Sequence, residues 1–389
     1  MLKNWRQLYK ELTYFVAAHP EIKLGKEIIE IPENFRPEFY RLFDAVRAEF
    51  VEEKSSDFVN QALSLSKNYI VVEQDVIETL ALSEVSLSGP LRWFLDDPID
   101  GLKRNLFDPL FDLVRGRMNI DKFETMGSES IGIPQGELYR LGYQYWLMLS
   151  LIKMLEPESL YTVNVLDIGA DFSHDKARAL TNAEESVPPP EKAKKLSLMH
   201  RFGFSTFVVP DFIFHSAKIN RYVAARTELK EATWTANNAS KVRKWNPLDP
   251  TIASIPGLIP VYVADNPIDI SLVNDAKKIC RPDLVIECKE QKDWYTKEGL
   301  EKVKLHHDSL KPRLGTYVVS REPVPEQAFR ELMSEQVTQE SMPKHIVEEP
   351  TSGGEAETWG EDIQILTVGF DQTKLGSVIS ALMQTENKD

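Results

Sequence analysis

Apolar residues recur every three or four positions through most of the first 125 residues. The stretch RPEFYRLFDAVRAEFVEEK is representative, and Pro and Gly fall mainly between such stretches. This spacing predicts a helical N-terminal region over residues 1–125. A further helix is predicted from Glu137 to about Leu155, where ELYRLGYQYWLMLSLIKML is apolar on nearly every face and is expected to be buried.

Beyond residue 155 the pattern changes to short apolar runs. YTVNVLDIGA and FSTFVVPDFIFH predict strands, and a polar, proline-containing linker is expected between them near residues 180–195. These changes predict three domains: the helical region 1–125, a middle α/β segment 126–215, and a C-terminal domain 216–389.

The stretch from Arg221 to Ser320 predicts the order α-β-β-β-α-β. The predicted helices are RYVAARTELKEATWTANNASKVRKW and YTKEGLEKVKLHHDSL, and the predicted strands are LIPVYVA, IDISLV, DLVIECK and GTYVVS. An acidic low-complexity stretch, EEPTSGGEAETWGED, then precedes a last strand, ILTVGF, and a last helix, KLGSVISALM. The expected fold class is therefore α/β.

The strand DLVIECK carries two charges among apolar residues. Residues two apart on a strand share a face, so Glu287 and Lys289 should project together while Cys288 points the other way. Burying such charges without partners costs on the order of several kcal/mol, so either mutual pairing or a bound metal ion is expected. The plainer interpretation is a structural Glu-Lys pair at the edge of a sheet.

With Asp269 in the preceding predicted strand, this region resembles the PD-(D/E)xK nuclease superfamily. That superfamily has a restriction-endonuclease-like αβββαβ core with a mixed sheet, an acid near the start of the second strand and (D/E)-x-K on the third. The resemblance covers residues 221–320, about a quarter of the chain, and Ile268 stands where the superfamily has Pro. It implies a metal-dependent endonuclease that uses Mg²⁺ (or Mn²⁺) on DNA, in restriction, defence or mobile-element chemistry. Asp269, Glu287 and Lys289 would be its catalytic residues.

The aspartate that completes the metal site is open on the sequence alone. Asp269 and Glu287 are the expected ligands, and Asp283 is a further candidate because it belongs to a literal Pro-Asp pair. Asp283 lies four residues before Glu287 on the same predicted strand, which separates them by about 13 Å. One metal ion is not easily held by both residues.

A second arrangement also fits the superfamily motif. Pro210-Asp211 is followed, after 16 residues, by Glu228 and Lys230. If RYVAARTELK were a strand instead of a helix, the hairpin formed with VVPDF would carry the site. The alanine-rich ELKEATW segment favours the helix.

Net charge limits the classes of partner. The chain carries −14 overall, but residues 216–320 hold 17 Lys and Arg against 13 Asp and Glu, a net of +4. The acidic remainder argues against nonspecific coating of nucleic acid and favours a protein partner for the helical N-terminal region. A mildly basic C-terminal domain is compatible with nucleic acid as substrate. The sequence does not indicate an oligomeric state.

Two cysteines, no secretory leader and no long apolar segment favour a cytoplasmic protein that does not enter a membrane.

VNVLDIGAD resembles the first strand and glycine turn of class I methyltransferases that use S-adenosylmethionine, but Asp171 occupies the place of the second glycine, and a plain buried strand is favoured. His306 and His307 are interpreted as a helix C-terminal cap. The alternative function is a non-catalytic binding or assembly protein that keeps the nuclease-like fold.

Overall fold

The structure is a computed structural model of the 389-residue chain. It describes residues 4–25, 29–162, 190–198, 210–226, 229–230, 254–255, 257–270, 282–326 and 363–384. The chain divides into two compact units, Met1–Val71 with Leu87–Trp146, and Val72–Ser86 with Leu147–Asp389. The three-domain division at residues 125 and 215 stays a prediction.

Helices account for most of the structure described up to residue 155, as the apolar spacing predicts. They are α1 (Trp5–Ala18), α2 (Arg36–Leu80, with a kink at Ser55), α3 (Gly89–Asp96), α4 (Pro98–Lys103), α5 (Phe107–Val114) and α6 (Ile120–Met154). A short hairpin pairs β1 (Lys23–Leu24) with β2 (Ile29–Glu30). In the first unit, the buried Trp5 ring packs against Phe50 and Phe123 at centroid distances of 5.2 and 5.4 Å.

The second unit contains a large mixed sheet. Its strands, with those of two small pairs, are β3 (Glu84–Ser86), β4 (Pro157–Thr162), β5 (Glu191–Lys192), β6 (Lys195–Ser197), β7 (Phe212–Ser216), β8 (Arg221–Ala225), β9 (Leu229–Lys230), β10 (Ser254–Ile255), β11 (Leu258–Ala264), β12 (Leu284–Lys289), β13 (Thr316–Ser320) and β14 (Ile363–Thr367). The eight-stranded sheet has the order β14-β13-β12-β11-β8-β7-β4-β5, while β3 pairs with β6 and β9 with β10. The class α/β is therefore confirmed.

The two strand pairs β12–β13 and β13–β14 are parallel, and the other neighbours in the large sheet are antiparallel. Helix α7 (Lys297–Leu310) connects β12 to β13, and α8 (Gly376–Met383) follows β14. Thr296 caps α7 by accepting the Gly299 N–H at 3.2 Å, and α7 ends at Lys311 in the left-handed conformation before Pro312. Leu300 and Val303 of α7 pack on Val318 of β13.

The helix predicted from Arg221 is wrong over its first residues. Arg221–Ala225 forms β8, which is paired on one side with β7 and on the other with β11. Val223, Ala224 and Ala225 are buried there. Alanine has a high helix propensity, but two neighbouring strands and burial outweigh that weak preference. Leu229–Lys230 is also a strand, β9, and residues 227–228 and 231–245 of the predicted helix lie outside the described residues.

The strand predicted at IDISLV is also wrong where it is described. Pro267–Ile270 is a 3₁₀ turn, and residues 271–281 lie outside the described residues. The Asn266 side chain accepts the Ile268 N–H at 3.0 Å, and its carbonyl accepts the Asp269 N–H at 3.2 Å. These local bonds compete with strand pairing. The predicted linker, most of VNVLDIGAD and the acidic stretch before β14 also fall outside the described residues.

Candidate functional site

Glu287 and Lys289 lie on one face of β12, as the period of a strand predicts. Lys289 Nζ is 2.6 Å from Glu287 Oε1, which confirms that the two charges project together. The Glu287 side chain is 1% exposed and that of Lys289 is 20% exposed, so the ammonium lies between a buried carboxylate and the protein surface. Because β12 lies between β11 and β13, the pair is not at an edge of the sheet.

His306 of α7 is the second group beside the carboxylate. Its Nδ1 atom lies 3.2 Å from Glu287 Oε2, and the residue is 5% exposed. This approach has the distance of an ion pair but not the alignment of a hydrogen bond. Within the described part of the chain, neither Glu287 oxygen nor His306 Nδ1 has a hydrogen-bond partner.

The sequence-based interpretation missed His306, which it took for a helix cap. A signal was present, because Leu300, Val303 and His306 follow one another at three-residue intervals and so share the inner face of α7. His307 points elsewhere, with its Nδ1 atom 2.9 Å from Thr316 Oγ1.

The electrostatic balance at Glu287 favours the ionised form. Burial raises the pKa of Glu287, but His306 and Lys289 lower it by more, so the net pKa is below the ordinary glutamate value. The carboxylate therefore carries its charge at neutral pH although it is almost wholly removed from water.

The ring of Trp294 lies beside Lys289. Lys289 Nζ lies 5.7 Å from the centre of the Trp294 ring, within the range of a cation–π contact. Trp294 Nε1–H donates to Ser320 Oγ at 2.8 Å, and the Ser320 hydroxyl donates to the Glu322 carbonyl at 2.6 Å. These bonds tie the loop between β12 and α7 to the end of β13.

Asp283 has structural partners of its own. One carboxylate oxygen accepts the Val263 N–H at 2.7 Å, and the other lies 2.5 Å from an Arg313 guanidinium nitrogen. Burial raises the pKa of Asp283 more than these partners and Arg221 lower it. Asp283 immediately precedes β12, and four residues of extended chain separate its backbone from that of Glu287 by about 13 Å. Both of its oxygens thus have contacts that a metal ion would have to displace.

Asp269 is not on the strand next to Glu287, and that part of the prediction is wrong. The two neighbours of β12 are β13 and β11 (LIPVYVA), and Leu258 of β11 lies opposite Glu287. Asp269 is exposed on the 3₁₀ turn that follows Ala264, at the other end of β11. Six residues of extended strand separate Leu258 from Ala264 by about 20 Å. The described structure therefore does not bring Asp269 to Glu287.

The alternative hairpin exists as a pair of strands. Phe212 of β7 lies opposite Ala225 of β8, and the Asp211 N–H donates to the Ala225 carbonyl at 2.9 Å. Glu228 lies outside the described residues, and Lys230 belongs to β9. The first half of the strand required by this alternative, Arg221–Ala225, is present, and the meeting of Asp211 with Glu228 stays a prediction.

Among the described residues, no group of three or more His, Cys, Asp and Glu side chains is arranged to hold a metal ion. Within that same part of the chain, no helix combines the length and apolarity needed to cross a membrane. Comparisons of the chain with protein-family models, curated proteins and solved structures found no match.

Proposed function

We propose that the protein is a metal-dependent nuclease that hydrolyses phosphodiester bonds, with DNA as its expected substrate. The observation that carries this proposal is the ionised, buried Glu287 carboxylate beside Lys289, on the strand that leads into α7. A perturbed titratable group with a specific charged partner is typical of functional sites.

The order of elements supports the proposal. β8, β11 and β12 are consecutive antiparallel neighbours, and α7 then leads to β13, which is parallel to β12. This β-β-β-α-β order is that of the restriction-endonuclease-like core after its first helix. The strand β7 precedes β8 directly, where that core has a helix.

Each residue of the pair has a role that its environment suits. A bound divalent cation would supply Lewis-acid activation of the phosphate. Glu287 fits one ligand position, because it is ionised and lacks a hydrogen-bond partner in the described structure. Lys289, closer to the surface, would hold the attacking water or stabilise the negative charge that develops on the phosphate. No described carboxylate completes the ligand set, and Mg²⁺ often takes its remaining ligands from waters and substrate.

The test is cleavage of supercoiled plasmid, single-stranded DNA and RNA by the purified full chain with Mg²⁺ or Mn²⁺. We expect cleavage that a chelator abolishes and that Glu287→Gln reduces by a factor of 100 or more, on the order of a lost catalytic group. Glu298→Gln is the matched control, because Glu298 is exposed on α7 and pairs only locally with Lys302. Wild-type protein that leaves all three substrates intact would refute the proposal.

A non-catalytic binding or assembly role is the second candidate. It is favoured by the near-complete burial of Glu287 and by the closeness of Lys289 and His306 to its two oxygens. In that role the three groups would stabilise the packing of α7 on the sheet. Folded wild-type protein without cleavage, destabilised by Glu287→Gln, is the result that this candidate predicts.

A further inference from the structure

Two buried atoms able to bind a metal face each other where α7 crosses β12. Glu287 Oε2 and His306 Nδ1 are 3.2 Å apart, and neither has a hydrogen-bond partner within the described residues. Burial of a polar atom without a hydrogen bond costs about 1–3 kcal/mol, and an ion bound by both atoms would remove that cost. The remaining oxygen, Oε1, faces Lys289.

The separation of these atoms suits two ligands of one ion. Ligands about 2.1 Å from a metal are about 3.0 Å apart at adjacent octahedral positions and about 3.4 Å apart at tetrahedral positions. The observed 3.2 Å lies between the two values. The atoms come from a strand and a helix, and Leu300 and Val303 pack that helix on Val318 of the adjacent strand β13.

We propose that Glu287 and His306 together hold a first-row transition metal ion, with Mn²⁺ as the representative ion, and that His306 is the second protein ligand of the site. The inference rests on the proposed function only in taking Glu287 as a metal ligand. An imidazole nitrogen beside a carboxylate favours Mn²⁺, Fe²⁺ or Zn²⁺ over Mg²⁺, which prefers oxygen ligands. The remaining positions would be filled by water and substrate oxygens.

The chain offers a close control for this proposal. His307 is the next residue on α7, and its ring faces Thr316 instead of Glu287. Replacing either histidine by glutamine removes one imidazole from the same turn of the same helix, so a difference between the two variants reports on the position of the ring.

The experiment is pulsed electron paramagnetic resonance of the full chain with Mn²⁺ as probe, which detects a nitrogen nucleus bound to the ion. We expect nitrogen coupling in the wild type and in His307→Gln, and its loss in His306→Gln. Calorimetric titration with Mn²⁺ should show affinity at least about tenfold weaker in both His306→Gln and Glu287→Gln. Circular dichroism establishes that each variant is folded. If His306→Gln does not fold, the loss of Mn²⁺ affinity is tested with Glu287→Gln alone.

Two results would overturn the inference: a wild-type spectrum without nitrogen coupling, or coupling that persists in His306→Gln. The cleavage assay separates this failure from failure of the proposed function. Cleavage without nitrogen coupling would overturn the histidine ligand alone. Nitrogen coupling in a protein that cleaves no substrate would overturn the nuclease and leave the Glu287–His306 metal site standing.

Discussion

Glu287 lies in an environment that is unusual for a glutamate. Its carboxylate is almost fully buried, and burial alone would favour the neutral acid. Lys289 and His306 reverse that preference. A buried charge held by two partners contributes to stability chiefly through what its removal leaves behind, because Lys289 loses its counter-charge and His306 loses the carboxylate oxygen beside it.

Glu287→Gln should therefore lower the free energy of unfolding by about 3 kcal/mol at neutral pH. Because the folded-state pKa of Glu287 is below its ordinary value, its contribution is present above that ordinary value and is lost as the pH falls through the lowered pKa. The difference between wild type and variant should shrink on acidification, measured by urea denaturation with a chelator present. A difference that grows on acidification would contradict this account.

Asp283→Asn should behave in the opposite way. The folded-state pKa of Asp283 is raised, so its contribution is present below the ordinary aspartate value and is lost as the pH rises through the raised pKa. At neutral pH we expect a change within about 1 kcal/mol, since the amide still accepts the Val263 N–H and the Arg313 side chain is 54% exposed. The same denaturation series tests this prediction, and a loss above about 3 kcal/mol would show that the ion pair matters more than we infer.

At the scale of single residues, the sequence predicts only those contacts that follow from the alternation of side chains along a strand. Glu287 and Lys289 are two apart on a strand, so their shared face follows from local geometry. The meeting of His306 with Glu287 depends also on how α7 lies across β12, which is decided by packing between residues distant in the chain. Asp269 could not be placed correctly because its own turn was mistaken for a strand.

At the scale of elements, α7 positions His306 of the candidate site. Gly299, in the first turn of α7, allows that turn to lie close to the backbone of Trp294. A Cβ atom at Gly299 would lie 1.9 Å from the Trp294 carbonyl oxygen, which is backbone and cannot rotate away. This close approach joins the start of α7 to the loop that carries Trp294, whose ring contacts Lys289. A shift of this turn would move Trp294 and the helix that carries His306.

Gly299→Ala should destabilise the protein by about 1–3 kcal/mol, as forced overpacking does, and lower its melting temperature. Gly376→Ala is the matched control. Gly376 is also in the first turn of a helix, α8, and a Cβ atom there would have open space around it beyond its own helix backbone and chain neighbours. The control should melt at the same temperature or slightly higher, because alanine has the better helix propensity. Thermal unfolding followed by circular dichroism makes the comparison; equal melting temperatures for the two variants would contradict it.

The elements that sequence patterns predicted well have strong local determinants. The strands β11, β12 and β13 each contain a run of buried apolar residues, and α7 has a threonine cap and a proline just beyond its end. β8 was missed because its alanines suit a helix when considered alone and a strand only when β7 and β11 lie beside them. Propensity describes the isolated segment, and pairing with neighbouring strands decided this one.

At the scale of the whole molecule, charge distinguishes the region around the candidate site from the rest of the chain. Residues 216–320 carry a net +4 in a chain of net −14. A modest basic excess in the segment of sequence that includes Lys289 is compatible with a phosphate substrate held at a limited number of points. The sequence alone gives this charge difference. Glu287 and Lys289 belong to the basic segment and lie on the large mixed sheet of the second unit.

The measurement that tests the central claim most directly is the rate at which Lys289→Ala nicks supercoiled plasmid in the presence of Mg²⁺ or Mn²⁺, compared with wild type and Lys292→Ala. Lys292 is exposed in the loop after β12, so its removal changes the net charge equally without touching Glu287. We predict nicking by wild type and Lys292→Ala, and a rate lower by a factor of about 100 or more in Lys289→Ala. Nicking by Lys289→Ala at the wild-type rate, or no nicking by clean wild-type protein, would contradict the account.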